Sequence, residues 1–387
     1  METIAERVEE FVRSEVLPID DEFDGDVQAA GGDELRCRLQ ARASELGLLA
    51  PHGPVDCGGL GLGMVDRAPI FEAAGYSLFG PMALNVNAPD EGNIHLLDHV
   101  ATSGQRERYL RPLVRGEIRS AFAMTEPAPG AGSDPAMLAT TATKVSGGWL
   151  INGRKRFITG ADGAGFFIIM ARTSEPSAGS GGATMFLAPA DTPGITVERH
   201  MRTMDRSMLG GHCELTFADV HVTDEDVLGA VDEGFRYAQV RLGPARMTHV
   251  MRWLGAAQRS QDAAAQYVAS RTAFGSRLGD LGMVQQLLAD NEIDLAATRA
   301  LLHEACRELD AGGRAAKSTS IAKTFGAEAL NRVADRAVQM CGGLGVSADL
   351  PVAKIARELR PFRVYDGPSE VHRWSIARRV LRAVEPR

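Results

Sequence analysis

The apolar spacing of this chain changes character twice, and that double change limits the possible folds more than any single motif. As far as about residue 120 the apolar residues recur at helical intervals, as in Ile4, Val8, Phe11 and Val12. Pro18 is expected to end that first helix. Residues 33–46 read as another helix, with Gly47 placed to cap its C-terminus. From about 121 to 230 short β-prone runs take over, at 140–145, 149–151, 156–159, 166–171, 184–188, 195–199 and 214–222. Gly147-Gly148 and Asn152-Gly153 read as hairpin turns. No helical pattern separates these runs, so a mainly antiparallel barrel or sandwich is expected. The Ser/Gly-rich patch 174–182 reads as a mobile loop. Beyond about 235 the chain returns to long Ala/Leu/Arg/Glu-rich helices at 234–272, 282–311 and 315–341, with a last one near 369–384. The expected class is α+β. An N-terminal α-helical domain (1–120) precedes a middle β domain (121–232), and a C-terminal four-helix bundle (233–387) follows.

Composition removes several function classes. A net charge of -8 argues against a nucleic-acid binder, which would carry a basic face. No apolar run reaches the ~20 residues that a membrane-spanning helix requires. The start, Met1 to Glu6, has no basic or apolar leader region. The five cysteines are scattered without a C-x-x-C pair, which suits reduced thiols and a cytoplasmic location. His95 and His99 stand four apart, but Leu96 replaces the glutamate of a zinc helix, so no metal site is expected. The glycines at 58–63 follow no strand pattern and read as a structural connection. Without a dinucleotide fingerprint, NAD is not the expected oxidant.

Two segments carry chemistry. The first is Phe122-Ala123-Met124-Thr125-Glu126-Pro127, continued by Gly130-Ala131-Gly132-Ser133-Asp134. Its glycines let the backbone approach a ligand and form an anion-binding concavity, and Thr125 and Ser133 add hydroxyls. On residues alone, the same loop could simply link two domains. The second is Tyr365-Asp366-Gly367-Pro368-Ser369-Glu370, which sets a carboxylate on a glycine turn. Asp-Gly-Pro is also ordinary turn chemistry.

These segments, and the helix–sheet–helix order around them, resemble the acyl-CoA dehydrogenase family over nearly the whole chain. The resemblance implies FAD. It assigns Phe122, Met124, Thr125, Gly132 and Ser133 to the flavin loop, with Ser133 also serving coenzyme A. Phe157, Ile158 and Thr159 stand in the family's K-x-W-I-T-N segment, with Phe157 replacing the tryptophan over the flavin ring. Ser270-Arg271-Thr272-Ala273-Phe274-Gly275 resembles S-R-x-x-F-G. Gln339, Gly342 and Gly343 fall in a segment like A-x-Q-x-x-G-G-x-G. In the family both these segments complete the FAD site of a neighbouring subunit, which implies a homodimer or homotetramer. Without the resemblance, Phe157 reads equally as a core residue and Arg271 as a surface one.

The resemblance makes Asp366 the base, where most members have Glu. Asp-Gly-Pro is closest to the acyl-CoA dehydrogenase 10/11 subgroup. Pro368, Ser369 and Glu370 would lie along the FAD, and Arg246, Tyr365 and Gly367 near the substrate. The implied reaction is α,β-desaturation of an acyl-CoA to a trans-2-enoyl-CoA in lipid or fatty acid catabolism, with an electron-transfer flavoprotein as acceptor. Asp is about 1.5 Å shorter than Glu, which suggests a non-standard acyl group. The rival readings are a same-fold flavin oxidase, for acyl-CoA or nitroalkanes, and a non-catalytic helical scaffold.

Overall fold

The computed structural model describes residues 2–175 and 182–384. The patch expected to be a loop at 174–182 therefore lies largely outside the described residues. The N-terminal part is helical: α1 (Ile4–Phe11), α2 (Leu17–Glu22), α3 (Gly32–Glu45), α4 (Met64–Gly75), α5 (Gly80–Ala83), α6 (Asp90–Val100), α7 (Ser103–Gln105) and α8 (Arg111–Val114). Pro18 does not stop the first helical run. A widened π turn at Val12–Val16 intervenes, and Pro18 then falls in the first turn of α2, where a backbone N–H has no helical partner to lose. Gly47 does close α3: it adopts φ +65°, and the Leu48 N–H donates back to the Ala43 carbonyl.

The sheet comprises β1 (Ser120–Ala123), β2 (Thr141–Val145), β3 (Gly148–Thr159), β4 (Phe166–Arg172), β5 (Ala183–Pro189), β6 (Ile195–His200), β7 (His212–Val222) and β8 (Val227–Leu228). Its order is β6-β7-β3-β2-β4-β5-β8, with β1 beside β4. Most pairings are antiparallel, as expected, but β1 and β2 both pair parallel to β4, so the sheet is mixed. β1 enters from the helical region rather than folding back through a hairpin, which is why it runs the same way as β4. Asn152-Gly153 is not a hairpin. β3 passes straight through it, with a register shift at that point. Gly153 is needed for proximity instead: a Cβ there would stand 2.5 Å from Thr140 Oγ1.

The C-terminal part holds α9 (Gly234–Ser270), a two-strand hairpin of β9 (Thr272–Ala273) and β10 (Ser276–Arg277), α10 (Gly282–Asp310), α11 (Ser318–Gly345), α12 (Val352–Leu359) and α13 (Ser369–Arg382). The short α12 is absent from the sequence expectation. One core runs from the N-terminal helices into this bundle, joining Phe71 and Phe79 to Met251, Leu254, Leu302 and Leu330. α4 and α9 cross backbone to backbone at two glycines. A Cβ on Gly75 would lie 1.9 Å from the Arg252 carbonyl, and one on Gly255 2.0 Å from the Glu72 carbonyl. That crossing fixes the face of α9 from which the site is built.

Candidate active site

The two segments expected to meet a flavin ring are neighbours. The Arg156 N–H donates to the Thr125 carbonyl at 2.8 Å, and Lys155 Nζ to the Met124 carbonyl at 3.0 Å. The loop after β1 then wraps around the inward-turned Glu126. Its Oε1 accepts from the Thr140 N–H (2.8 Å) and Lys155 Nζ (2.9 Å), and its Oε2 from the N–H groups of Ala131 (3.0 Å) and Ala139 (2.7 Å). The Glu126 and Lys155 side chains are 2% and 0% exposed. Burial raises the carboxyl pKa, but Lys155 and the amide donors outweigh it and hold Glu126 at about 2. For Lys155 burial dominates over its single carboxylate partner, lowering it to about 8. Between those values both groups are charged.

Beyond a bulge from Lys155, Phe157 adopts φ +57° with half its surface open. A bulky residue held in the left-handed region costs about 1–3 kcal/mol and marks functional positions. Its exposed surface, one residue from the Arg156 N–H that bonds Thr125, is a face that a planar ligand would cover. Ile158 points into the sheet core, so only its main chain can meet such a ligand. Thr159 Oγ1 lies 2.9 Å from His212 Nδ1, and His212 Nε2 lies 2.7 Å from Asp205 Oδ2. With Nε2 donating to the carboxylate, a neutral ring leaves Nδ1 as an acceptor for the Thr159 hydroxyl. Gly132 and Ser133 are exposed, and the space beside Gly132 is open.

Asp366 sits between α12 and α13 at φ +53°. The main chain around it is clamped by cationic and imidazole donors. Arg246 Nε and His372 Nε2 each donate to the Asp366 carbonyl at 3.1 Å, and Lys323 Nζ donates to the Gly367 carbonyl at 2.7 Å. Gly367, at φ +93°, has no room for a side chain, because a Cβ would meet His372 Nε2 at 2.7 Å. The Asp366 carboxyl is free of these clamps. Its Oδ2 lies 3.1 Å from His249 Nε2, off the direction of a good hydrogen bond. Burial pushes its pKa up, yet the surrounding positive charge, His249 when its ring is protonated and the guanidiniums of Arg241 and Arg246, pulls it below the carboxylate range. Arg241 also ties this site to β1: its guanidinium stands 4.3 Å over the Phe122 ring while Nε donates to Asn93 Oδ1 at 2.7 Å. Tyr365 turns its ring onto His249 and takes a hydrogen bond from Trp253 Nε1 at 2.5 Å. Pro368 and the buried Ser369 begin α13, and Glu370 is exposed.

The remaining expected residues lie elsewhere in the same chain. Arg271 precedes the β9–β10 hairpin and Phe274 lies in its turn, while Gln339, Gly342 and Gly343 stand at the end of α11. Val268 and Met340, close in sequence to these two groups, belong to one buried apolar cluster. No hydrogen bond among the described residues joins either group to Thr125 or Asp366. Arg271 is exposed and forms no ion pair among the described residues. Phe274 is 96% exposed at φ +53°.

Sequence reading missed Glu126 as a loop anchor, and it missed Lys155, Lys323, His372, His249 and Arg252. One signal for the last two was present. Arg246, His249 and Arg252 recur every three residues on α9, a polar stripe between the buried Met247, Val250, Met251 and Leu254.

The helix–sheet–helix architecture, with the family matches that follow, defines a flavoprotein oxidoreductase of the acyl-CoA type. Three consecutive stretches match the N-terminal (1–117), middle (121–220) and C-terminal (232–381) domains of acyl-CoA dehydrogenases. The protein named "Probable acyl-CoA dehydrogenase FadE2" of Mycobacterium tuberculosis is 36% identical, covering 97% of this chain and 94% of its own. Mouse acyl-CoA dehydrogenase family member 11 is 34% identical, but this chain spans about half its length (49%). A solved acyl-CoA dehydrogenase-type structure from Mycobacterium abscessus superposes with a TM-score of 0.91 at 36% identity, covering 99% and 98% of the two chains. The chain belongs to the acyl-CoA dehydrogenase family. No helix among the described residues is long and apolar enough to cross a membrane.

Proposed function

We propose that this protein is an FAD-dependent acyl-CoA dehydrogenase in which Asp366 removes the α-proton of the thioester. The observation that carries the reading is the freedom of the Asp366 carboxyl: among the described residues the hydrogen bonds that hold that turn use main-chain carbonyls, leaving the side chain, with the His249 ring beside it, available to take a proton. FAD, when bound, supplies the acceptor for the β-hydride. The residues present suit it. Phe157 offers a stacking face, Thr125 and Ser133 offer free hydroxyls, and Gly132, Gly342 and Gly343 leave open space for close backbone approach. The Asp366 N–H is available to the thioester carbonyl, where a donor stabilises the developing enolate. Arg246 holds the turn, and the product is a trans-2-enoyl-CoA. Electrons leave to an electron-transfer flavoprotein.

The same reading makes Arg271, Phe274, Gln339, Gly342 and Gly343 contributors to a second subunit's FAD, in a homodimer or homotetramer. Their exposure supports it, as do the exposed apolar side chains of Met283 (80%), Trp374 (61%) and Leu381 (59%) on the C-terminal helices. Phe274-Gly275 closes a two-residue hairpin with both φ angles positive, a turn that favours Asn-Gly. Phe274→Asn should therefore relax the hairpin yet weaken assembly. Sedimentation should show a lighter species and the purified protein should carry less flavin; unchanged mass and flavin would remove Phe274 from the interface.

Bleaching of the flavin by a panel of acyl-CoAs without oxygen tests the function and maps the acyl group. Slow reoxidation in air marks a dehydrogenase, and rapid reoxidation would turn the reading to an oxidase. A colourless protein that takes up no FAD would end it.

A further inference from the structure

Among the described residues the Asp366 carboxyl pairs closely with one side chain, His249, and that side chain is itself held in one protonation form. Arg252 donates from one guanidinium nitrogen to His249 Nδ1 at 2.8 Å, and from the other to the Val86 carbonyl at 2.7 Å. A guanidinium has donors and no acceptor, so Nδ1 must be the unprotonated, accepting nitrogen. The single ring proton is then on Nε2, 3.1 Å from Asp366 Oδ2. The arrangement is braced from behind. Glu91 of α6, 1% exposed, stands 4.0 Å from Arg252 and accepts from Thr248 Oγ1 at 2.8 Å. The His249 ring packs 4.8 Å from Tyr365 and 6.0 Å from Phe362, ring centre to ring centre. Ring tilt and tautomer are thus both determined before any substrate arrives.

We propose that His249 is a positioning residue for the Asp366 carboxylate, locked by Arg252 as the neutral Nε2–H tautomer so that it directs the carboxylate without neutralising it. An aspartate base needs such a guide more than a glutamate, because its carboxyl stops about 1.5 Å short. A neutral donor also leaves a better base than an imidazolium would, since a full positive charge beside a carboxylate lowers its proton affinity further. Burial and then Arg252 lower the His249 pKa, which agrees with the neutral form. The charged and titratable groups around it are Arg241, Arg246 and Arg252 on α9, Glu91 on α6, Tyr365 and Asp366 on the turn, Lys323 on α11 and His372 on α13. The protein therefore carries a fixed Arg252–His249 hydrogen bond that holds the ring's Nε2 3.1 Å from the Asp366 carboxyl, where a glutamate enzyme would need only length.

This inference rests on Asp366 being the base, and the test separates the two. The FAD-loaded enzyme is mixed in D2O with a 3-thia-acyl-CoA, which can lose an α-proton but has no β-carbon hydride. Deuterium uptake at Cα is followed by NMR, and flavin reduction by an ordinary acyl-CoA is followed separately. His249→Leu should slow both by about 10²-fold, the cost of a misplaced catalytic group, with acyl-CoA binding within about threefold. His249→Gln, which keeps an amide donor, should recover most of the rate. Arg252→Met should unlock the ring and remove one of the two causes that lower its pKa, so that the exchange rate, flat in wild type between about pH 5.5 and 8, falls on the acid side as His249 titrates. Wild-type exchange in His249→Leu overturns the proposal, and so does equal damage in the Leu and Gln variants. If His249→Leu does not fold, a flat Arg252→Met profile overturns it. Asp366→Asn exchanging at the wild-type rate would instead remove the base itself.

Discussion

Asp366→Asn should still fold, bind FAD and acyl-CoA, and yet reduce its flavin at least about 10³-fold more slowly, within the range that a positioned general base supplies. The loop's main chain is held without the carboxyl. Arg246, His372 and Lys323 hold it through the carbonyls of residues 366 and 367, which the substitution leaves intact. The left-handed backbone at 366 suits Asn as well as Asp. What changes is proton affinity: an amide cannot take the α-proton. Anaerobic stopped-flow absorbance of the flavin measures the loss, and the unperturbed visible spectrum shows that cofactor binding survived. Normal reduction in this variant would mean that another group, or none, deprotonates the substrate. Because Asp366 is held below the ordinary carboxylate range, the group is charged throughout neutral and mildly acidic pH. The free enzyme should then show no carboxylate limb in kcat/KM down to about pH 5, where an ordinary Asp would be starting to protonate.

The large elements were legible because each depends on local pattern. α9, α10 and the strands from β4 to β7 fall close to the periodic runs that announced them, since burying one face of a helix or strand forces that spacing. Errors arose where local chemistry had two uses. Asn152-Gly153 can turn a chain, but its glycine here serves a close approach to Thr140 within one long strand. Pro18 breaks a helix in mid-course, yet is neutral in a first turn. β1 was hidden inside a segment read as ligand loop, because four residues pairing parallel to a distant strand leave no hairpin signal. The site was legible in the same uneven way. Asp366, Phe157 and Phe274 stand out in sequence, and each adopts a positive φ, a strained one for the two phenylalanines. His249, Arg252 and Glu91 do not, because their meaning comes from α6 packing on α9, 157 residues apart in the Thr248–Glu91 bond.

The Glu126–Lys155 pair gives the largest expected effect on stability. Glu126→Ala would strand the Lys155 ammonium at 0% exposure and leave the amides of Ala131, Ala139 and Thr140 without an acceptor. Removing one partner of a buried pair costs about 3–5 kcal/mol, a large share of an ordinary protein's stability. The loss should appear in denaturant unfolding as a lower midpoint. It should also appear as flavin loss, because the same carboxylate shapes the loop that carries Thr125 and Ser133. Lys155→Met should do less harm. It removes a charge whose burial its partner does not fully offset, as the fall of its pKa to about 8 indicates, and Glu126 keeps its amide donors. The pH dependence has a definite sign. Glu126 has a folded pKa of about 2 against an ordinary 4.5, so its contribution is complete above about 4.5 and disappears as pH falls towards 2. Glu126→Gln should lose stability at pH 7 and lose less of it at pH 3, bringing the two unfolding curves together in acid. Curves that stay equally far apart from pH 7 to pH 3 would show that the carboxylate's charge is not what holds the loop.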